Sequence, residues 1–115
     1  MDKPELKLRM RVNVGDVIAV GPGKIALLEA LAETGSITAA AKTLDMSYRR
    51  AWMLIDQLNS ALKKPAVETA QGGAKGGGSR LTPEGEALVA LYRAIEAEAL
   101  AHCEGQIKAL QKMLR

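Results

Sequence analysis

A short cluster of aromatic and basic residues lies near the middle of this 115-residue chain. Residues 47–52 read Ser-Tyr-Arg-Arg-Ala-Trp, and they hold two of the three aromatic side chains in the sequence. An arginine can pair bidentately with a guanine base or form a fork with a phosphate. Exposed aromatic and guanidinium groups side by side therefore favour contact with DNA over a plain helical hairpin.

Two short helices position this cluster. Ser36 is predicted to cap a helix that runs to about Leu44, and Ser47 to cap the next helix, which ends before Pro65. Between them, Asp45 occupies a turn where many helix-turn-helix proteins have glycine, and aspartate tolerates the left-handed conformation. Residues 36–63 are thus predicted to form a helix-turn-helix whose second helix presents the cluster to the major groove.

The surrounding elements follow from local patterns. Strict alternation over residues 6–14 predicts a strand, which the Gly15-Asp16 turn returns into a second strand at residues 17–20. A helix from about Lys24 to Thr34 precedes the helix-turn-helix. Short strand-like runs flank the glycine-rich residues 71–78, so residues 66–82 are predicted to form a β-hairpin wing. The glycine run lacks the Gly-Lys-Ser/Thr order of a nucleotide-binding P-loop.

The wing and the helix starts complete the predicted DNA contacts. Glycines allow the backbone of the wing to approach DNA, and the free N–H groups at a helix start can bind phosphate. The predicted phosphate contacts are Ser36, Thr38 and Ser47; the predicted groove and backbone contacts are Tyr48, Arg49, Arg50 and Trp52; the predicted wing contacts are Lys75 and Arg80.

The last predicted helix begins at Thr82-Pro83-Glu84 and, if unbroken to Met113, is about 45 Å long at ~1.5 Å per residue. This length exceeds what a small core can cover, so we expect it to mediate a two-fold dimer. The predicted dimerisation residues are Leu88, Leu91, Tyr92, Ile95, Ile107, Leu110 and Leu114. We assign residues 1–82 to a DNA-binding domain and residues 83–115 to a dimerisation helix.

Bulk properties exclude several classes of protein. Segment 42–64 contains five basic and two acidic residues, within a chain of net charge +3. A single cysteine forms no intrachain disulfide and no apolar run approaches ~20 residues, so we expect a cytoplasmic protein that does not enter a membrane. His102 and Cys103 are too few to build a metal site or a nucleophilic centre, and we predict no enzyme activity and no cofactor.

Several segments together resemble one family of regulators. They are GSITAAAK at residues 35–42, SYRRAW at 47–52, LN at 58–59 and ETAQGGAKGGGSRLT at 68–82. These segments resemble the DNA-binding domain of ModE-type molybdate-responsive transcriptional regulators, which is similar to the winged helix-turn-helix of LysR-type regulators. The resemblance covers roughly residues 22–95 and implies a dimeric regulator in which residues 47–62 form the recognition helix.

In full-length members of that family, molybdate binds separate C-terminal domains. The sequence ends at Arg115, so we expect a single-domain version that lacks those domains. We therefore assign molybdate binding to no residue of this sequence. The expected fold is mainly α with a small β-sheet: a winged helix-turn-helix with an N-terminal β-hairpin and a long C-terminal dimerisation helix. Two alternatives stay open: a winged-helix module that binds proteins, and a sensor that binds a small oxyanion at the dimer interface.

Overall fold

The computed structural model describes residues 2–69 and 78–115. In chain order the elements are β1 (Val12–Val14), β2 (Val17–Val20), α1 (Pro22–Thr34), α2 (Ile37–Thr43), α3 (Tyr48–Ala61), β3 (Val67–Thr69), β4 (Ser79–Leu81), α4 (Pro83–His102) and α5 (Glu104–Lys112). The strands form two antiparallel pairs, β1 with β2 and β3 with β4. This is the predicted winged helix-turn-helix architecture with an N-terminal hairpin.

The starts of the helices follow the predicted caps. The Oγ atoms of Ser36 and Ser47 accept hydrogen bonds from backbone N–H groups three residues later, each at 3.0 Å. Thr82 caps α4 in the same way, through the N–H of Gly85 at 3.1 Å. Each cap satisfies one of the N–H groups that a helix start leaves without a partner. The helix boundaries predicted from cap residues are therefore confirmed at these three positions.

The N-terminal strand is shorter than the alternation predicts, and this part of the prediction is wrong. Regular pairing begins only at Val12. Its partner, Val20, is the last of the four residues of β2, so β2 offers no partner to the residues before Val12. The preceding segment bonds instead to the C-terminal helices. The carbonyl oxygen of Met10 accepts a hydrogen bond from Tyr92 Oη at 2.9 Å, and that of Pro4 accepts one from Gln111 Nε2 at 3.2 Å. Two carbonyl oxygens of this segment are thus bonded by side chains and not by a partner strand.

The core lies where α1, α2 and α3 meet. The largest fully buried side chains are aliphatic and come from α1 and α3: Ile25, Leu27, Leu28, Leu31, Ile55 and Leu58. Ala40, Ala41 and Ala51 are also buried, and their small side chains allow α2 and α3 to pack closely. Outside this core, Arg93 of α4 forms an ion pair with Glu29 of α1. The guanidinium group, chiefly through its hydrogen bonds, lowers the pKa of the Glu29 carboxyl.

The start of α4 packs against the backbone that enters the wing. Thr82 N donates to the carbonyl oxygen of Ala66 at 2.9 Å, and Thr82 Oγ1 donates to that of Pro65 at 2.6 Å. Gly85 lies directly over Ala66, so that a Cβ atom at position 85 would be 2.2 Å from the Ala66 oxygen. Glycine is required here by a close approach of two backbones.

The C-terminal helix is not continuous. It is interrupted at Cys103, which has φ −97° and ψ 12°. Two shorter helices, α4 and α5, therefore take the place of the single helix that an unbroken segment up to Met113 would form. The interruption lies two residues before Gly105, whose low helix propensity weakens the chain at this point. No helix within residues 2–69 and 78–115 combines the length and the apolar character needed to cross a membrane.

Candidate nucleic-acid interface

The turn between α2 and α3 has the geometry that the sequence predicts. Asp45 has a φ of 54°, and it is the one non-glycine residue with positive φ among the described residues. Its N–H and that of Met46 bond back to carbonyl oxygens in the last turn of α2, at 3.2 and 3.0 Å. The turn therefore ends α2 tightly and places the cap of α3 at Ser47, two residues after Asp45.

An aromatic pair is exposed on the first two turns of α3. Tyr48 and Trp52 are 50% and 39% exposed, and the indole Nε1 of Trp52 donates to Tyr48 Oη at 2.8 Å. Because the tyrosine oxygen acts as the acceptor in this bond, its own hydrogen remains available for an outside acceptor. Two large side chains that hold each other on the surface are better explained by a binding partner than by core packing.

A small hollow, which we call the wing-side hollow, lies beside this pair. It has a volume of about 130 Å³ and lies where α2, α3 and the two wing strands meet. Its lining residues are Ser36, Ile37, Thr38, Tyr48, Trp52, Thr69 and Ser79. Four of the predicted contact residues are thus brought together with two hydroxyl side chains of the wing, a combination suited to donating hydrogen bonds to phosphate.

The two adjacent arginines of α3 diverge. Arg50 lines a different and larger hollow on the other flank of the helix, beside the N-terminal hairpin. Arg49 lies on the exposed side of α3, since neighbouring positions on a helix are about 100° apart. The structure consequently distributes the basic groups of α3 over its outer side and one flank, while the aromatic pair occupies the other flank.

The wing contributes one described arginine. Arg80 of β4 faces Glu68 of β3 across the strand pair, and its Nε lies 2.7 Å from Glu68 Oε1. Both side chains are well exposed, so solvent screens this ion pair and the guanidinium keeps further N–H donors for a phosphate. The other predicted wing contact, Lys75, falls outside the described residues.

Sequence reasoning missed the residue that holds the wing against α3. The side chain of Asn59 accepts from Ala66 N at 2.8 Å and from Val67 N at 3.3 Å, and it donates to the Val67 oxygen at 3.2 Å. Asparagine has a low helix propensity, and its place inside a helix was the available signal. Asn59 thus attaches the start of β3 to α3 and thereby sets the position of the wing strands relative to the helix.

The predicted dimerisation residues fall into three environments. Leu91, Ile95, Leu110 and Leu114 are exposed, whereas Leu88 and Ile107 are partly buried. Tyr92 is buried in its own chain, where its ring packs with the core and its hydroxyl bonds to Met10. A tyrosine used in this way is not accessible to a second chain, which corrects the expectation that it lies on the dimer surface.

Comparison with known proteins agrees with this geometry. The family model for bacterial regulatory helix-turn-helix proteins of the lysR family matches residues 23–86. Among solved structures, a MarR-family transcription regulator superposes with a TM-score of 0.56 and 26% sequence identity, covering 79% of this chain and 64% of that one.

Several curated relatives carry molybdenum in their names. The molybdenum-pterin-binding protein MopB of Rhodobacter capsulatus is 49% identical over 78 residues, which is 68% of this chain and 29% of that protein. The molybdenum transport protein ModE of Azotobacter vinelandii is 42% identical over 90 residues, 78% of this chain and 33% of that protein. The dual regulator ModE of Escherichia coli K12 is 42% identical over 88 residues, 76% of this chain and 34% of that protein.

The chain spans about a third of the length of these relatives. Residues 23–86, which the family model matches, run from α1 to the start of α4. The resemblance to the DNA-binding domain of ModE-type regulators is therefore confirmed. With more than half of its residues matching the family model, the chain belongs to the lysR family of bacterial regulatory helix-turn-helix proteins.

Proposed function

We propose that this chain is a DNA-binding transcription regulator that acts as a homodimer and is linked to molybdate uptake or molybdenum metabolism. The observation that carries the proposal is the wing-side hollow. There the capped start of α2, the exposed Tyr48–Trp52 pair and the wing strands converge on one surface. In winged helix-turn-helix proteins this surface faces DNA, with the recognition helix in the major groove.

Each group on this surface has a role in the proposed complex. Ser36 and Ser47 use one oxygen lone pair for capping, so their hydroxyl hydrogens can still be donated to phosphates. Arg49, on the outer side of α3, is placed to enter the groove and to pair with a guanine. Thr38, Trp52 and Arg80, on the wing side of α3, contact the DNA backbone and fix the register of the helix on the duplex.

Homodimer formation is supported by the exposed apolar stripe of α4. Leu91 and Ile95 lie one helical turn apart and are 63% and 53% exposed. Two such stripes related by a two-fold axis bury each other, and they bring two recognition helices to half-sites about 34–36 Å apart. The domain boundary at residue 82 and a cytoplasmic location remain part of this proposal.

Fluorescence anisotropy with labelled duplexes tests the proposal. Fragments from upstream of molybdate transport genes of the source genome are compared with scrambled duplexes of the same composition. We expect tighter binding to the genomic fragments, and affinity that falls as salt rises because phosphate contacts release counterions. An Arg49→Ala variant should lose about 1–3 kcal/mol of specific binding. No binding to any duplex at low salt would contradict DNA binding, and equal affinity for both sets would contradict the link to molybdenum.

The dimer is tested separately, by sedimentation at several protein concentrations. Replacing Leu91 with Glu places a charge on the exposed stripe without touching the core, so we expect monomers with unchanged helical content. Val14→Glu, at an equally exposed apolar position on β1 outside the predicted dimer surface, serves as the matched control for added charge. A Leu91→Glu protein that remains dimeric would show that the interface lies elsewhere.

A further inference from the structure

A second hollow, larger than the wing-side hollow, lies on the flank of α3 that faces away from the wing. We call it the hairpin hollow; its volume is about 510 Å³. It is bounded by the N-terminal hairpin, by the start of α1 and by Arg50, Leu54 and Gln57 of α3. The proposed function above makes no use of the hairpin, yet the hairpin and the recognition helix share this hollow.

Positive charge dominates the lining. Arg9, Arg11, Lys24 and Arg50 line the hollow, and Asp16 is the one acidic residue among the lining residues. The three arginines are exposed, and within the described chain no carboxylate lies within 4.0 Å of their nitrogens. Guanidinium groups that line one hollow without carboxylate partners suit an oxyanion, since a phosphate accepts forked hydrogen bonds from arginine.

Lys24 has a different part in this site. It is buried, and its Nζ donates to the carbonyl oxygens of Ile18 and Ala19, the two middle residues of β2. Burial lowers the pKa of its ammonium group. Lys24 therefore ties the hairpin to the start of α1, and it is a positioning residue that sets where Arg9 and Arg11 lie relative to α3.

The position of the two hollows identifies the oxyanion. The wing-side hollow holds Tyr48 and Trp52, and the hairpin hollow holds Arg50. These positions are on opposite flanks of the same helix. A helix in the major groove has one phosphate backbone on each side, because that groove is only about 12 Å wide. Each hollow then faces a different DNA strand.

We propose that the hairpin hollow binds a backbone phosphate of the DNA strand opposite to the strand that the wing-side hollow contacts. The N-terminal hairpin is thus a second DNA-binding flank, with Arg9, Arg11 and Arg50 as the phosphate ligands. This inference rests on the proposed DNA binding, but it makes a separate prediction, since the wing-side contacts and Arg49 do not require the hairpin to touch DNA.

The test removes the hairpin arginines and leaves α3 intact. In Arg9→Gln/Arg11→Gln, we expect DNA affinity to fall on the order of 10- to 30-fold near 0.15 M salt. The slope of log K against log salt should become shallower by about 1 for each phosphate that the variant no longer binds. Lys3→Gln/Lys112→Gln is the matched control. It removes the same two charges at the far end of the N-terminal segment, beside the Pro4–Gln111 contact, and it should keep the wild-type slope.

Ethylation interference locates the contact on the duplex. Wild-type protein should show interference at phosphates on both sides of the major groove. The arginine variant, which keeps Arg50, should show weaker interference on the hairpin side and unchanged interference on the wing side. An unchanged slope and footprint in a variant whose wild-type parent binds DNA would overturn the inference and leave the proposed function standing. No DNA binding by the wild type would instead overturn the function itself.

A titration with inorganic phosphate, in the absence of DNA, separates a free anion from a DNA phosphate. We expect no saturable rise in Tm at millimolar phosphate, because water and salt ions compete with a free phosphate for the exposed guanidinium groups. A saturable rise that the arginine variant abolishes, together with unchanged DNA affinity, would assign the hollow to a free oxyanion and overturn the inference.

Discussion

Adding one methyl group at Gly85 should destabilise the protein, whereas the same change at Gly105 should stabilise it. Both glycines lie in helices, where replacement by alanine ordinarily gains about 1 kcal/mol. At Gly105 a new Cβ atom meets nothing within 4 Å, so this gain should appear in the free energy of unfolding. At Gly85 the new Cβ atom would lie 2.2 Å from the carbonyl oxygen of Ala66 and 3.0 Å from its carbonyl carbon.

Relief of this clash requires the Cβ–oxygen distance to increase from 2.2 Å to at least 3.4 Å, a displacement of about 1.2 Å. The neighbouring backbone cannot shift alone, because the Ala66 oxygen accepts from Thr82 N and the Ala66 N–H donates to Asn59. Overpacking costs about 1–3 kcal/mol, and breaking a hydrogen bond as the backbones separate costs about 1 kcal/mol. After the helix gain is subtracted, we expect Gly85→Ala to lose about 1–3 kcal/mol.

Thermal and urea unfolding of the two variants, measured at one protein concentration, provide the assay. For a chain of this length 1 kcal/mol corresponds to about 4 °C, so Tm should fall by about 4–12 °C for Gly85→Ala and rise by a few degrees for Gly105→Ala. If both variants are stabilised equally, the close approach of α4 to Ala66 does not exist as described.

Three further predictions concern single contacts. Asn59→Ala leaves the buried Ala66 N–H without an acceptor and should cost about 1–3 kcal/mol in urea unfolding, whereas Asn59→Asp keeps the acceptor and should cost less; equal losses would contradict this role. The lowered pKa of Glu29 stabilises the folded state above the carboxyl's ordinary pKa, and this contribution is lost as pH falls through the lowered value. The difference in unfolding free energy between wild type and Glu29→Gln, under about 1 kcal/mol for this half-exposed pair, should therefore vanish in acid, and a difference independent of pH would refute the linkage. Tyr48→Phe removes the acceptor of the indole N–H, so the emission of the single tryptophan should shift and DNA affinity should fall about tenfold; unchanged emission would show that the pair is not formed.

Features that depend on a few neighbouring residues were predictable from the sequence. The serine and threonine caps and the left-handed Asp45 follow from short-range chemistry, and the structure has them where the pattern indicates. The wing strands were also recoverable, since strand-like residues flank the glycine run on both sides.

Features that depend on distant partners were not predictable. The alternation at residues 6–11 is real, but no strand lies alongside it to pair with in the described part of the chain. Tyr92 and Leu91 belong to the same apolar stretch, and only the position of Met10 decides which of them is buried. Equally, nothing in the sequence around Gly85 and Gly105 shows that one lies against a backbone and the other faces open space.

The backbone at Ala66 joins three elements. Asn59 attaches it to α3, Thr82 attaches it to α4, and Gly85 lets the two backbones approach closely. The wing root, the recognition helix and the first turn of α4 are consequently coupled through the backbone of this one residue. If the angle between the two α4 helices of a dimer changes, the recognition helix and the wing of each subunit change position with them. A signal that changes the dimer contact would then change the distance between the two DNA half-sites that the dimer can bind. The contacts within each half-site would stay the same.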